Sequence, residues 1–519
     1  MLSDNISVAT ASFCLLTLQI YRVVALDWQS LKLLDEHATM VLRNNRELGG
    51  GGATDEDCPY KESLKTESCW GYEKDCKKPY FDEFTNCSSK EEKRKYWTQA
   101  DFGKLKQHLE EMKSRQICKS ENIDGSSLTC TQDATMCKAK NLYIHFPNFD
   151  KRDQNVILVP DDGVIGGYCS LNKELLKQET KIKRSLSTWG FQLQSFQPLK
   201  SNPFADKSCD IILDKPVVFV QLDSVGNLYH HFCDFFNLYL TQHANNSWFG
   251  TDVQIVRWNE HPRFRDPFMD AWKAFTDSSV LSLHDFAYKR VCIPDATFAF
   301  LPRMIHGLYY STYLEQGCRG SGLVKSFGDH LLHRLGIKSD TDHVSDVIRV
   351  TFLARGGKSD RLVFRRVLNL EALVKRLNKL PNIEVKVVSY DFDEMNFLEQ
   401  LQTTRKTDLF IGMHGAGLAH FLFLPDWAVA FELYNCGDIR CYRDLAGLRG
   451  LRYLTWEDES KVRDHDRGIH PHYGDHAKFW NFSFDVEEFI RLVRKARNML
   501  LETDRFRHLK KNYNPRTEF

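Results

Sequence analysis

The chain has 519 residues, with Lys+Arg 70 against Asp+Glu 69, a net charge of +1, 42% hydrophobic content and 12% aromatics. That length allows two or three domains with substantial cores. The balanced charge gives no basic footprint for nucleic acid, and no segment beyond the amino end approaches the roughly 18 apolar residues of a membrane anchor.

The amino end carries the apolar run VATASFCLLTLQI and then Val23-Val24-Ala25, small residues spaced for cleavage, so residues 1–25 read as a signal peptide. Asp4 and the lack of Lys or Arg before the run are atypical, and a type II anchor is the alternative. Residues 26–57, with Gly49 to Gly52 in a row, read as a flexible linker. Residues 58–210 form a cysteine-rich region. Of 15 cysteines, seven (Cys58, Cys69, Cys76, Cys87, Cys118, Cys130, Cys137) crowd into its first part without CxxC pairs, which predicts disulfides rather than zinc. Asn86, Asn245 and Asn481 lie in glycosylation sequons. Together these features favour a secretory-pathway lumen.

From Pro216 the pattern alternates. PVVFVQLD, DVQIVRW and VLSLHDF read as strands, and NLYHHFCDFFNLYLTQHAN and FMDAWKAFT as helices. After the polar hinge GIKSDTDHVSD a second series begins: VIRVTFLAR, IEVKVVSYD, DLFIG and AVAFELY as strands, LNLEALVKRLNKL and DEMNFLEQLQ as helices. FSFDVEEFIRLVRKARNMLLE closes it, with Ser483 and Asp485 as N-cap candidates. Two such series predict two Rossmann-like domains facing a cleft, over residues 211–340 and 341–500, followed by a solvated basic tail over 501–519.

Residues Asp408 to His420, DLFIGMHGAGLAH, are the most informative stretch. A buried strand runs into a turn with Gly412, Gly415 and Gly417, and an apolar helix-like run follows. Glycines at such a turn expose backbone N–H groups at a positive helix end, which suits phosphate, and His414 adds a side-chain donor. The spacing is neither GxGxxG nor a P-loop. A tight structural turn with a packed histidine is the alternative. Ligands in open parallel sheets bind at carboxyl strand ends, and the loops after Ala354 and Ile411 meet that description.

The strings LYHHFCDFFNLYLTQHANNS, WKAFTD, LPRM, IGMHGAGLAHFLFLPDWA and FELYNC, collinear within roughly residues 58–500, closely resemble glycosyltransferase family 61. The resemblance implies an α/β GT-B fold, an inverting mechanism and UDP-N-acetylglucosamine (UDP-GlcNAc) as donor. It further implies a Ser or Thr hydroxyl on a folded EGF-like repeat as acceptor, in the endoplasmic reticulum lumen. Two departures stand out. Animal members carry Asp-x-Asp after the KAFT string, whereas here Asp277 is followed by Ser278 and Ser279. The chain also ends NPRTEF where relatives have a KDEL-like signal.

An inverting transfer must neutralise departing UDP, hold the uridine and take the acceptor proton. For the diphosphate the expected residues are Arg355, Lys358 and Arg361, with His414, Gly415, Ala416 and Gly417; a solvated basic loop is the alternative for the first three. Glu432 is expected to contact ribose or uracil, or else to form an ion pair. For the base, His230 or His231 is expected, oriented by Asp234 on one helix face, unless the histidine only packs. Cys233 is expected to be buried or disulfide-bonded. No divalent cofactor is expected to be required; the alternative is a metal clamp at Asp391 and Asp393, which otherwise read as a helix-start acid cluster. A different acceptor (O-mannose or a glycan) and a catalytically silent lumenal binding protein are the other functional readings.

Overall fold

The computed structural model describes residues 28–44, 56–73, 76–147, 163–179, 188–223, 226–244, 249–259, 266–301, 317–338, 344–356, 363–470 and 474–511. The expected signal peptide, Gly49 to Gly52, Asn245, Lys358 and Arg361 lie outside these residues.

The first sheet grows from strand β1 (Cys137–His145) of the cysteine-rich region and four strands that follow it. These are β2 (Val217–Val220), β3 (Gln254–Arg257), β4 (Leu281–Ser282) and β5 (Arg290–Phe298). The four run parallel in the order β4-β3-β2-β5, the winding of a Rossmann half. Every residue of β2 is buried, as a two-sided parallel strand requires. On its other edge β5 pairs antiparallel with β1 from Arg290↔His145 to Phe298↔Cys137. The cysteine-rich strands therefore continue the same sheet, and the boundary expected near residue 210 is not a structural break.

The second sheet is five-stranded and all parallel, built from β6 (Ile348–Ala354), β7 (Ile383–Ser389), β8 (Leu409–Gly412), β9 (Val429–Glu432) and β10 (Arg452–Thr455). Its order is β7-β6-β8-β9-β10. The closing helix Val486–Leu501 starts at Asp485, whose carboxylate accepts the Glu488 N–H at 2.8 Å. Ser483 instead lies in the strand before it.

One apolar core spans both halves. Phe232, on the helix Leu228–Ala244 that follows β2, meets Phe397 and Phe423 of the second half, each at 5.4 Å between centroids. Some expected elements differ. FMDAWKAFT forms a 3-10 helix over Met269–Ala274, and VLSLHDF splits into β4 and a 3-10 turn. Residues 28–44, expected within a linker, instead form two helices that bury Trp28, Leu31, Met40, Val41 and Leu42, because their apolar side chains close over the first half. The basic stretch near the end is likewise not all solvated: Arg505 is buried, with Nε 3.3 Å from Asp408 Oδ1.

Five disulfides join Cys69–Cys76, Cys87–Cys318, Cys118–Cys169, Cys130–Cys137 and Cys209–Cys292. Six of the seven crowded cysteines are thus paired; Cys58 is a free, buried thiol, as is Cys233. Among the described residues no helix is long and apolar enough to cross a membrane.

Candidate active site

In an open parallel sheet, a crevice forms where successive connections leave in opposite directions. In the second sheet that point lies between β6 and β8, where Leu353 pairs with Gly412. One strand leads into Arg355 and the other into His414 and Gly415. Arg355 Nε donates to the Phe364 carbonyl at 2.9 Å, and Arg365 Nη1 donates to the His414 carbonyl at 3.0 Å. A Cβ on Gly415 would strike Arg355 Nη1 and approach Arg365 Nη1 to 3.1 Å, so only glycine lets the turn lie against both guanidiniums. Gly415 has φ +151° and Arg365 itself φ +63°, a strained conformation of a kind that gathers at functional sites. Burial lowers the pKa of both arginines, that of Arg355 to about 10 with the charge of Arg365 adding to the effect. Neither pairs with a carboxylate among the described residues. Two half-buried cations side by side repel, and an anion between them would relieve both.

The apolar run after the turn is a 3-10 helix, Ala416–Phe423. Gly417 has a packing reason of its own: a Cβ there would come to 2.7 Å from Leu353 Cδ2. His414 Nδ1 bonds Glu432 Oε1 at 2.8 Å, and Tyr453 donates its hydroxyl to the other Glu432 oxygen at 2.5 Å. Glu432 is fully buried with both oxygens taken inside the protein. The expected ribose or uracil contact therefore gives way to an orienting bond on His414. His414 Nε2 lies 3.9 Å from Asp438 Oδ2, an oxygen that also receives Lys478 Nζ at 2.9 Å.

The first sheet has its own reversal at β2, flanked by β3 on one side and β5 on the other. Leu222 and Asp223 follow the strand, and the helix Leu228–Ala244 then begins. His230 Nδ1 lies 2.5 Å from Asp223 Oδ2. Asp234, expected to orient the histidine, instead accepts the Asp223 backbone N–H at 3.1 Å. His230 and Asp234 share a helix face, but the acid that reaches His230 Nδ1 is Asp223, just past the end of β2. His231 is corrected too. It is fully buried against Phe235, Phe268 and Trp272, with Nε2 3.8 Å from Asp266, and burial pushes its pKa down to about 4. His230 is half-buried, and burial holds its pKa below the usual histidine value.

Aromatic rings link the two reversals. The ring of Tyr229, next to His230, meets Tyr442 at 5.8 Å, and Tyr442 meets His414 at 5.0 Å. Asp223, Asp438 and Tyr442 are not picked out by sequence, and Arg365 and Arg366 stand there only as basic residues following Arg361. The acid at the end of PVVFVQLD, at a carboxyl strand end, was the one signal that could have found Asp223.

Other expected residues lie elsewhere. Asn86 is exposed beside Cys87, whereas Asn481 is 8% exposed, with its amide bonded to Asp466 and the Arg366 N–H. A glycan on Nδ2 of Asn481 would have to find room at a largely buried side chain. Asp391 Oδ1 accepts the Asp393 N–H at 3.1 Å, and Asp277 is held by Lys32 at 2.8 Å and Thr251 at 2.5 Å.

Residues 133–431 match the glycosyltransferase 61 family. The chain belongs to glycosyltransferase family 61. This family 61 chain is similar to the EGF domain-specific O-linked N-acetylglucosamine transferase of Xenopus laevis, 45% identical over 484 residues covering 91% of this chain and 90% of that protein. The protein of the same description from Rattus norvegicus is 44% identical over 499 residues, 94% of this chain and 93% of its own. That of Drosophila melanogaster is 40% identical over 459 residues, 85% and 86%. Both crevices fall within the family match: Asp223, His230, Arg355, Arg365 and His414 all lie inside it.

Proposed function

We propose that this glycosyltransferase moves N-acetylglucosamine from UDP-GlcNAc to Ser or Thr hydroxyls of folded EGF-like domains, with inversion at the anomeric carbon. The relatives' printed activity over nine-tenths of the chain supports the sugar and the acceptor class. The observation that carries the donor site is the pair of half-buried guanidiniums, Arg355 and Arg365, against Gly415. Their planar forks suit a diphosphate. Lys358 and Arg361 stand between Arg355 and Arg365 in the sequence and are read as further diphosphate ligands, with His414, Ala416 and Gly417 completing the turn. The four parallel strands of the first sheet and the parallel second sheet, each with its reversal turned toward the Tyr229–Tyr442 contact, support a GT-B reading with the acceptor on the first half.

In this reading the acceptor hydroxyl loses its proton to His230 Nε2 as its oxygen attacks C1 of the sugar. The C1–O bond to the diphosphate breaks in line, and UDP leaves with the bonding pair onto the two arginines. No divalent ion is needed for that charge balance. Five disulfides fit an oxidising compartment, in keeping with action in the endoplasmic reticulum lumen. The test is intact mass spectrometry of a folded EGF repeat incubated with the protein and UDP-GlcNAc. The expected result is a gain of one N-acetylhexosamine. Transfer to an O-mannosyl peptide in preference would change the acceptor, and UDP-GlcNAc binding without any transfer would overturn the enzyme reading.

A further inference from the structure

Asp223 after β2 and Asp234 on the helix Leu228–Ala244 form a two-acid arrangement that the transfer reaction alone does not require. Asp223 Oδ2 meets His230 Nδ1 at 2.5 Å, while Asp234 takes the Asp223 backbone N–H at 3.1 Å. Asp234 is buried, Asp223 largely so, and His230 keeps about a quarter of its side chain open. We propose that Asp223 is the positioning residue of the acceptor base, fixing the tautomer and direction of His230, and that Asp234 holds Asp223 in place from behind. The proposal rests on the transferase reading above.

The chemistry follows from the donor inventory. An ionised carboxylate only accepts, so the hydrogen of the neutral imidazole sits on Nδ1 and the lone pair on Nε2. Nε2 then points away from Asp223 as a proton acceptor. When the hydroxyl proton arrives there, the imidazolium stays paired with the carboxylate, so the charge that develops is already compensated. The placement agrees with this role. Asp223 follows the carboxyl end of β2, at the reversal of the first sheet, where open α/β sheets place ligands. Tyr229, adjacent to His230, packs on Tyr442, which in turn packs on His414 beside the two donor arginines. A carboxylate also sits well beside the first turn of a helix, whose amino end carries partial positive charge. His231, one residue on, lacks all of this: it faces the aromatic core.

The experiment compares wild type with Asp223→Asn and Asp234→Asn, using UDP-GlcNAc and a folded EGF repeat across pH, with UDP affinity measured separately by calorimetry. Asp223→Asn keeps the shape but removes the charge, so the amide can also donate to Nδ1 and select the wrong tautomer. The expected result is a fall in kcat of about tenfold to a hundredfold. UDP affinity should be unchanged, and the acid limb of the kcat/KM profile should move to lower pH because the imidazolium has lost its counter-charge. Asp234→Asn, which still offers an oxygen to the Asp223 N–H, should cost less. A merely structural role would lower the folded fraction without moving the limb. Wild-type kcat and an unmoved acid limb in Asp223→Asn would overturn the proposal while leaving the transferase reading intact; loss of that reading would show instead as no transfer by wild type. Should Asp223→Asn fail to fold, His230→Gln decides: an acid limb identical to wild type in that variant removes the imidazole, and Asp223 with it.

Discussion

The guanidinium of Arg355 fills the space that a side chain on Gly415 would need. The strand β6 and the glycine turn after β8 are thereby fitted to each other at the point where the second sheet reverses its winding. Gly415→Ala should push Arg355 off the turn and place a methyl group at φ +151°. We expect UDP affinity to fall at least about tenfold, the loss of one charged hydrogen bond at about 1.5–3 kcal/mol. Calorimetry with UDP checks this, with circular dichroism to confirm the fold.

Arg365 gives a cleaner separation. Its Nη1 bonds a backbone carbonyl and its backbone N–H donates to the Trp480 carbonyl at 2.7 Å. Arg365→Met removes the charge and keeps much of the stem. UDP should bind roughly tenfold to more than a hundredfold more weakly, again from about 1.5–3 kcal/mol, while uridine, which lacks phosphate, should bind as before. Equal losses for both ligands would place Arg365 away from the diphosphate.

Transfer should survive exhaustive chelation. Asp277 is engaged by Lys32 and Thr251, and Asp391 by the backbone of its own turn, so neither offers a ready clamp. EDTA-treated enzyme and an Asp391→Asn, Asp393→Asn double variant should both retain activity within about twofold, a loss that corresponds to less than 0.5 kcal/mol. Abolition of activity in both, with the variant folded, would make a metal essential.

Acid should destabilise the fold through its buried histidines. His37 bonds Tyr239 at 2.7 Å and burial lowers its pKa to about 3; His243 and His330 beside it are also pushed well down by burial. Their folded pKa values lie below the unfolded value of about 6.5, so the unfolded chain binds protons that the folded one refuses. Stability is therefore whole above about pH 6.5 and falls on acidification toward about pH 3, by up to about 1.4 kcal/mol per pH unit for each such histidine. Urea midpoints measured at stepped pH should show the slope. His330→Leu should flatten it, since among the described residues neither ring nitrogen of His330 has a hydrogen-bond partner to lose.

The sequence by itself determined the strands and the turn. Runs such as VVFV and LFIG have no polar side to offer solvent, which fits strands buried on both faces, and the glycines of HGAGL mark where one stops. It also determined disulfides from cysteine crowding, and a family from long collinear strings. Tertiary structure decided the partners. Asp234 looked right for His230 because helical spacing is local information, whereas the acid that bonds it, Asp223, arrives from the loop before the helix. Glu432 looked available at a strand end, but Tyr453 from the next strand and His414 from the previous one close on its two oxygens. Arg365 lies well past the end of β6, and its backbone bond to the Trp480 carbonyl sets its guanidinium against the His414 carbonyl. Periodicity encodes which residues share a face of one element. Which side chains meet between elements is set by strand order and register, and those follow from packing the whole core.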